Sequence, residues 1–187
     1  MIQIAIDAPS SLTDLRRQLH SVAEQTADYW SSLEPAMFFA PIGDAWSPAE
    51  NVRHLVQSNR PVTYGLRSPK LALMLRFGFT FKGSRSYAQI LDVYRTALSG
   101  GLKAFGRYLP RPMDAEATET TRDELVAKNR VAIEGVVEGL DRWSESSLDK
   151  VCVAHPALGK MTVREILFFT LYHNAHHAES VARKLAS

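Results

Sequence analysis

The sequence predicts an all-α protein, a four-helix bundle with an additional helical and loop insertion between its second and third core helices. Three observations carry that prediction. Apolar residues in the long segments recur at alternating intervals of three and four. Ser or Thr followed three residues later by Glu or Gln marks several helix starts. Residues 71–81 alternate as a strand would, but no partner strand for them is visible elsewhere. At 187 residues the chain fits one domain, residues 1–187, with enough length to bury a core.

Taken in order, the first helix follows from Leu12, Leu15, Leu19, Val22, Thr26, Tyr29 and Leu33, the seam of a bundle helix. The second begins at "WSPAENVRHL": Ser47 is the N-cap, Pro48 suits the first helical position, and Glu50 closes a capping box. It runs to about Leu66, with Pro61 a site where it kinks or ends. The stretch "SPKLALMLRFGFTFKGSRS" reads as a short helix leading into an apolar loop, either a lid over a pocket or a satellite hydrophobic cluster. Ser86 and Gln89 cap a further helix that "SGG" interrupts at residues 99–101. The polar linker "AEATETT" precedes an amphipathic helix whose inner face holds Leu125, Ala132, Val136 and Leu140. After the turn-rich "HPALGK", Thr162 and Glu165 cap the final helix.

Composition narrows the class. Hydrophobic residues at 45% and charged residues at 22% are ordinary for a soluble globular protein. The lone cysteine, Cys152, allows no intrachain disulfide, which suits a reducing compartment. No secretion signal or bilayer-length apolar run is present, so a cytoplasmic protein with no membrane partner is expected. The net charge of +2 hides an uneven spread. Seven basic residues and no acid lie between Asn51 and Leu91, against ten acids and five bases from Asp114 to Lys150. That density falls short of a nucleic-acid arm, and no nucleic-acid partner is expected.

The chemistry concentrates in "YHNAHHAES". At about 100° per residue, His173 and His177 lie some 40° apart on the stripe of Ile166, Thr170 and Val181, whereas His176 points about 60° the other way. Two imidazoles at i and i+4 can close on a single divalent ion, or each can be a core histidine held by a hydrogen bond. His54 qualifies as a third ligand from another helix. It shares a polar stripe with Asn51 and Ser58 that is either solvent-exposed surface or one wall of a wet pocket.

The pieces "AWSPAENVRHLVQSN" and "HPALGKMTVREILFFTLYHNAHHAESVARKL" resemble the DinB-like superfamily, also called the YfiT-like metal-dependent hydrolases. The resemblance rests on a tryptophan, helix start and histidine in the second helix, then a His-Pro-x-x-Gly turn, a capped helix and an H-x-x-H-H cluster. It implies a bundle of DinB-like type in which His54, His173 and His177 hold one divalent metal, zinc or nickel, and it points to a homodimer. Two features depart from the family pattern. Ala178-Glu179-Ser180 replaces its basic residue and glutamine, and the segment from Ser68 to Pro112 is longer than in compact members.

Three imidazoles leave an open coordination position, the catalytic pattern. Two chemistries follow for a small-molecule substrate: transfer or isomerisation with a low-molecular-weight thiol, and hydrolysis. The basic segment between Asn51 and Leu91 would suit a thiol cofactor's carboxylates. The alternative is a non-catalytic metal-binding or stress-response protein. His176, His155, Asn51 and Ser58 are the candidates for groups around the ligands, with His155 a turn hydrogen-bonder at the pocket rim and His176 either a proton-handling residue or surface. His20 shows no constellation. Paired Glu-x-x-His and H-E-x-x-H motifs are both absent, which excludes di-iron bundles and zincins. The first helix, with Tyr29 and Trp30, offers apolar surface for a two-fold dimer.

Overall fold

The computed structural model describes residues 2–110 and 116–187. Its elements run α1 (Leu12–Ser32), α2 (Pro35–Phe39), α3 (Pro48–Arg67), α4 (Lys70–Phe77), α5 (Tyr87–Ser99), α6 (Glu119–Gly139), α7 (Glu145–Lys150), β1 (Cys152–His155), β2 (Gly159–Thr162) and α8 (Val163–Leu185). Short 3-10 turns lie at Gly106–Tyr108 and Leu140–Arg142. The protein is all-α apart from the antiparallel β1–β2 pair. The linker read at "AEATETT" is shorter than expected, because Thr118 caps α6, and Ala115 lies outside the described residues.

Local signals set the helix starts. Ser47, Ser86 and Thr162 each form a two-way capping box with Glu50, Gln89 and Glu165. Pro61 lies inside α3 on an exposed face and does not end the helix. In α1 the seam holds, but Trp30 rather than Tyr29 fills it: Trp30 is fully buried and Tyr29 half-buried. The indole expected on the outer surface is therefore part of the chain's own core.

The long helices α1, α3, α6 and α8 surround one continuous apolar core, α3 against α6, α6 against α1, α1 against α8, and α8 against α3. α5 covers a further side of α8. Enclosed on several sides, α8 is buried on every face from Val163 to Leu171, with Arg164 and Glu165 among the buried residues. α3 and α6 approach closely because Gly135 and Gly139 carry no side chain. A Cβ on Gly139 would stand 2.8 Å from that of Leu66, and one on Gly135 would stand 3.2 Å from the Thr63 methyl.

The core also holds a polar knot. Asn59 and Asn174 exchange amide hydrogen bonds of 3.1 and 3.2 Å, and Asn129 accepts from Asn59 at 3.4 Å. All three are buried. Asn174→Ala should cost about 1–3 kcal/mol by stranding the Asn59 amide away from water. Urea unfolding measures the cost, and a loss within a few tenths of a kcal/mol would mean that the knot does not fix the packing of α3 on α8.

Residues 71–81 form a helix and a loop as expected, but they make neither a lid nor a closed cluster. On α4 the apparent alternation separates, for Leu71 and Leu75 share an outer face and are 67% and 81% exposed, while Leu73 turns into the core. Phe79 then bridges Val151. The expectation that no strand exists elsewhere is also corrected: β1 and β2 form a hairpin around "HPALG". Four-residue strands are too short to show a period, and the hairpin is held from its turn, where His155 Nδ1 accepts from the Ala157 and Leu158 amides at 3.2 and 3.0 Å.

Candidate metal centre

The capping box of α3 places His54 two turns in from Ser47, and the α8 stripe turns His173 and His177 toward it. The ligand atoms of the three lie within 4.8 Å of one another. His173 Nε2 is 3.2 Å from His54 Nε2 and 3.1 Å from His177 Nε2. Two nitrogens sharing an ion at about 2.0–2.1 Å in tetrahedral geometry stand roughly 3.3 Å apart, so the spacing fits. The polar stripe read from the sequence is thus a pocket wall.

The outer nitrogens fix the tautomers. His54 Nδ1 lies 2.7 Å from the Tyr108 carbonyl, which can only accept, so Nδ1 carries the proton. His177 Nδ1 lies 2.7 Å from Asn51 Oδ1. Asn51 is oriented by its own amide, which donates to the Ser47 and Trp46 carbonyls at 2.9 and 3.4 Å. Its oxygen therefore faces His177, and that Nδ1 is also protonated. Two Nε2 lone pairs then point inward at His173, which has at most one Nε2 proton to offer. At least one buried lone pair is left without a hydrogen, and a cation is its natural complement. Burial pushes all three imidazoles below their ordinary range, His173 and His177 far below it, with the neighbouring imidazoles adding to the effect at those two. They are neutral near pH 7, the state in which histidine binds a metal.

Around the triad, Phe169 stacks on His173 at 4.8 Å and 21°, and Trp46 packs against His54 at 5.4 Å. A cavity of about 600 Å³ opens on the three rings. Ser58 and His155 line it, His155 as the turn acceptor already described, with burial lowering its pKa to about 4. His176 also lines it, edge-on to Tyr94 at 5.8 Å, with its pKa lowered first by burial. So His176 is a wall residue of the cavity and not plain surface. His20 stands apart, paired with Glu134 and Glu24. Cys152 is buried outside the cavity lining, where burial pushes its thiol up.

One expectation fails. None of the seven basic residues between Asn51 and Leu91 lines the cavity among the described residues. Arg67 pairs with Glu138 and Arg85 with Glu165 instead. The cations at the cavity are Lys103 and Lys184. Its cover, too, lies elsewhere than residues 71–81. A strap after α5, with Leu102, Phe105, Tyr108 and Leu109 on the lining, carries the Tyr108 carbonyl to His54. A backbone carbonyl leaves no trace in side-chain pattern. Tyr94 does, since it falls one helical turn after the buried Ile90. Of the two departures from the family pattern, Ala178 is fully buried and Glu179 accepts from the Ile4 amide at 3.0 Å, so that segment ties down the N-terminal strand of chain.

No helix among the described residues is long and apolar enough to cross a membrane. The chain matches the family model of the DinB superfamily over residues 16–181, a span that takes in all three histidines. No curated protein and no solved structure matches it.

Proposed function

The chain belongs to the DinB superfamily, and from that premise we propose that it is a metal-dependent enzyme acting on a small molecule, with His54, His173 and His177 as the ligands of one divalent ion. The observation that carries the reading is the set of inward Nε2 lone pairs, fixed as acceptors by Tyr108 and Asn51 and short of a proton. Zinc or nickel suits three neutral imidazoles. Such an ion supplies Lewis acidity, which brings the pKa of a water or a low-molecular-weight thiol toward the physiological range. The accompanying cavity, far larger than a storage site requires, favours turnover over metal binding alone.

The chain's own groups have definite parts in this reading. Phe169 and Trp46 hold the imidazoles in orientation and keep bulk water off them. Tyr94, whose phenol burial pushes up, stays protonated. His155, neutral through burial and with Nδ1 engaged by two amides, keeps Nε2–H as a donor at the rim. A cytoplasmic homodimer belongs to the same proposal.

Metal analysis of the purified protein should return one divalent ion per chain. In a cobalt-substituted form, an added low-molecular-weight thiol should produce a thiolate charge-transfer band if the thiol chemistry operates. No band with any common thiol would leave hydrolysis or metal binding without turnover. Failure to retain zinc, nickel or cobalt would overturn the proposal.

A further inference from the structure

The cavity is long and chemically two-ended. On α3 its lining residues step from His54 through Ser58 and Val62 to Leu66; on α8 they step from His173 back through Phe169 and Ile166 to Val163. At about 1.5 Å per residue, these rows run roughly 15–18 Å from the imidazoles. At one end lie the three histidines, His176 and, beyond them, Ser180 and Lys184, with Asp44 near Lys184 on the same lining. Away from that end the walls are mostly apolar, with Val62, Leu66, Leu98, Leu102 and Ile166, and His155 is the polar ring against Phe169. The two helices thus part along an apolar slot that ends on a metal-ligand cluster and a lysine.

Gly65 adds a second, independent observation. It lies in the last turn of α3 and on the lining, near the end of the slot far from the histidines. A glycine with helical backbone is ordinarily unfavourable relative to alanine, though less so in a last turn than in mid-helix. Close packing explains Gly139, but it does not explain Gly65: a Cβ there would meet nothing within 4 Å. No neighbour requires the missing side chain, and what its absence leaves is room in the slot.

We infer that the substrate is an anionic amphiphile, a linear alkyl or acyl chain of about dodecyl length whose head group lies at the histidine cluster and whose tail runs along α3 to Gly65. This rests on reading the cavity as the substrate site. Lys184 lies on the lining beyond the histidines, with Asp44 near it, and the mostly apolar walls take the tail. Each buried methylene should raise affinity about fourfold, so chain length is what the slot measures.

Titration calorimetry with hexanoate, octanoate, decanoate and dodecanoate tests this, on zinc-loaded and on chelator-stripped protein. Affinity should climb with each pair of carbons in both forms. Gly65→Leu should cut dodecanoate affinity at least about tenfold while leaving hexanoate unchanged, and its melting temperature should not fall, since leucine is the better helix former. Affinity flat across the series would overturn the inference. So would a Gly65→Leu protein that binds dodecanoate as tightly as the original, or that loses hexanoate and dodecanoate alike. Metal retention is measured separately, so a chain that binds no metal yet discriminates by chain length would sink the metal proposal and leave this one standing.

Discussion

Replacing His54, His173 or His177 by alanine is expected to reduce metal affinity by more than the about 10–100-fold that losing an outer partner costs. Each substitution leaves two imidazoles on an exchangeable ion. Asn51→Ala removes the acceptor that orients His177 and should fall inside the 10–100-fold range. His176→Ala should cost least, because its ring meets Tyr94 and the cavity rather than the three converging nitrogens. Competition against a chromogenic chelator gives all five constants. If His176→Ala abolished binding and His177→Ala did not, chelation would run through i, i+3 and the assignment of the helix face would be wrong. If none of the five substitutions changed metal content, the metal hypothesis itself would fail.

The second large effect is on acid stability. Burial depresses His155 from its ordinary 6.5 to about 4. Between those values the unfolded chain holds a proton there that the folded chain does not, so stability falls as pH falls through the window. Over about 2.5 pH units at 1.36 kcal/mol each, His155 alone contributes a loss of about 3 kcal/mol. His54, His173, His176 and His177 are shifted in the same direction and steepen the slope in metal-free protein. His155→Asn keeps an acceptor for the Ala157 and Leu158 amides but cannot titrate. Its unfolding free energy, measured in urea from pH 7 to pH 4, should decline less steeply than that of the original chain. Parallel curves for the two proteins would show that His155 is solvated.

What the sequence made legible was local. A cap needs two residues three apart, so Ser47 with Glu50 and Thr162 with Glu165 could be read directly and placed both site helices. The i, i+4 relation of His173 and His177 is equally local, and the nitrogens of these two cluster with His54 while His176 is not in the group. His54 needed more: its own helix shows only that it lies on a polar stripe, and the resemblance to a family joined it to the other two. The illegible parts depend on distant partners. Tyr29 and Trp30 are adjacent, and which of them enters the core is settled by the helices packed against α1, not by α1. The basic segment could not announce that Arg85 is engaged by Glu165, eighty positions away. The strap was missed because its contribution to the site is a carbonyl.

That carbonyl has a consequence in time as well as in geometry. His54 cannot turn its ring away from the cluster without breaking its hydrogen bond to Tyr108, so the ligand is latched by the same strap that covers the cavity. If an ion were held there, release of His54 would require the strap to lift, whereas His177 is held by Asn51 on α3. Lid-like opening falls in the μs–s range. Were an ion held by all three histidines, its residence time would not follow from equilibrium affinity alone. The metal this chain carries would reflect what was present when the strap last closed, not only what binds most tightly.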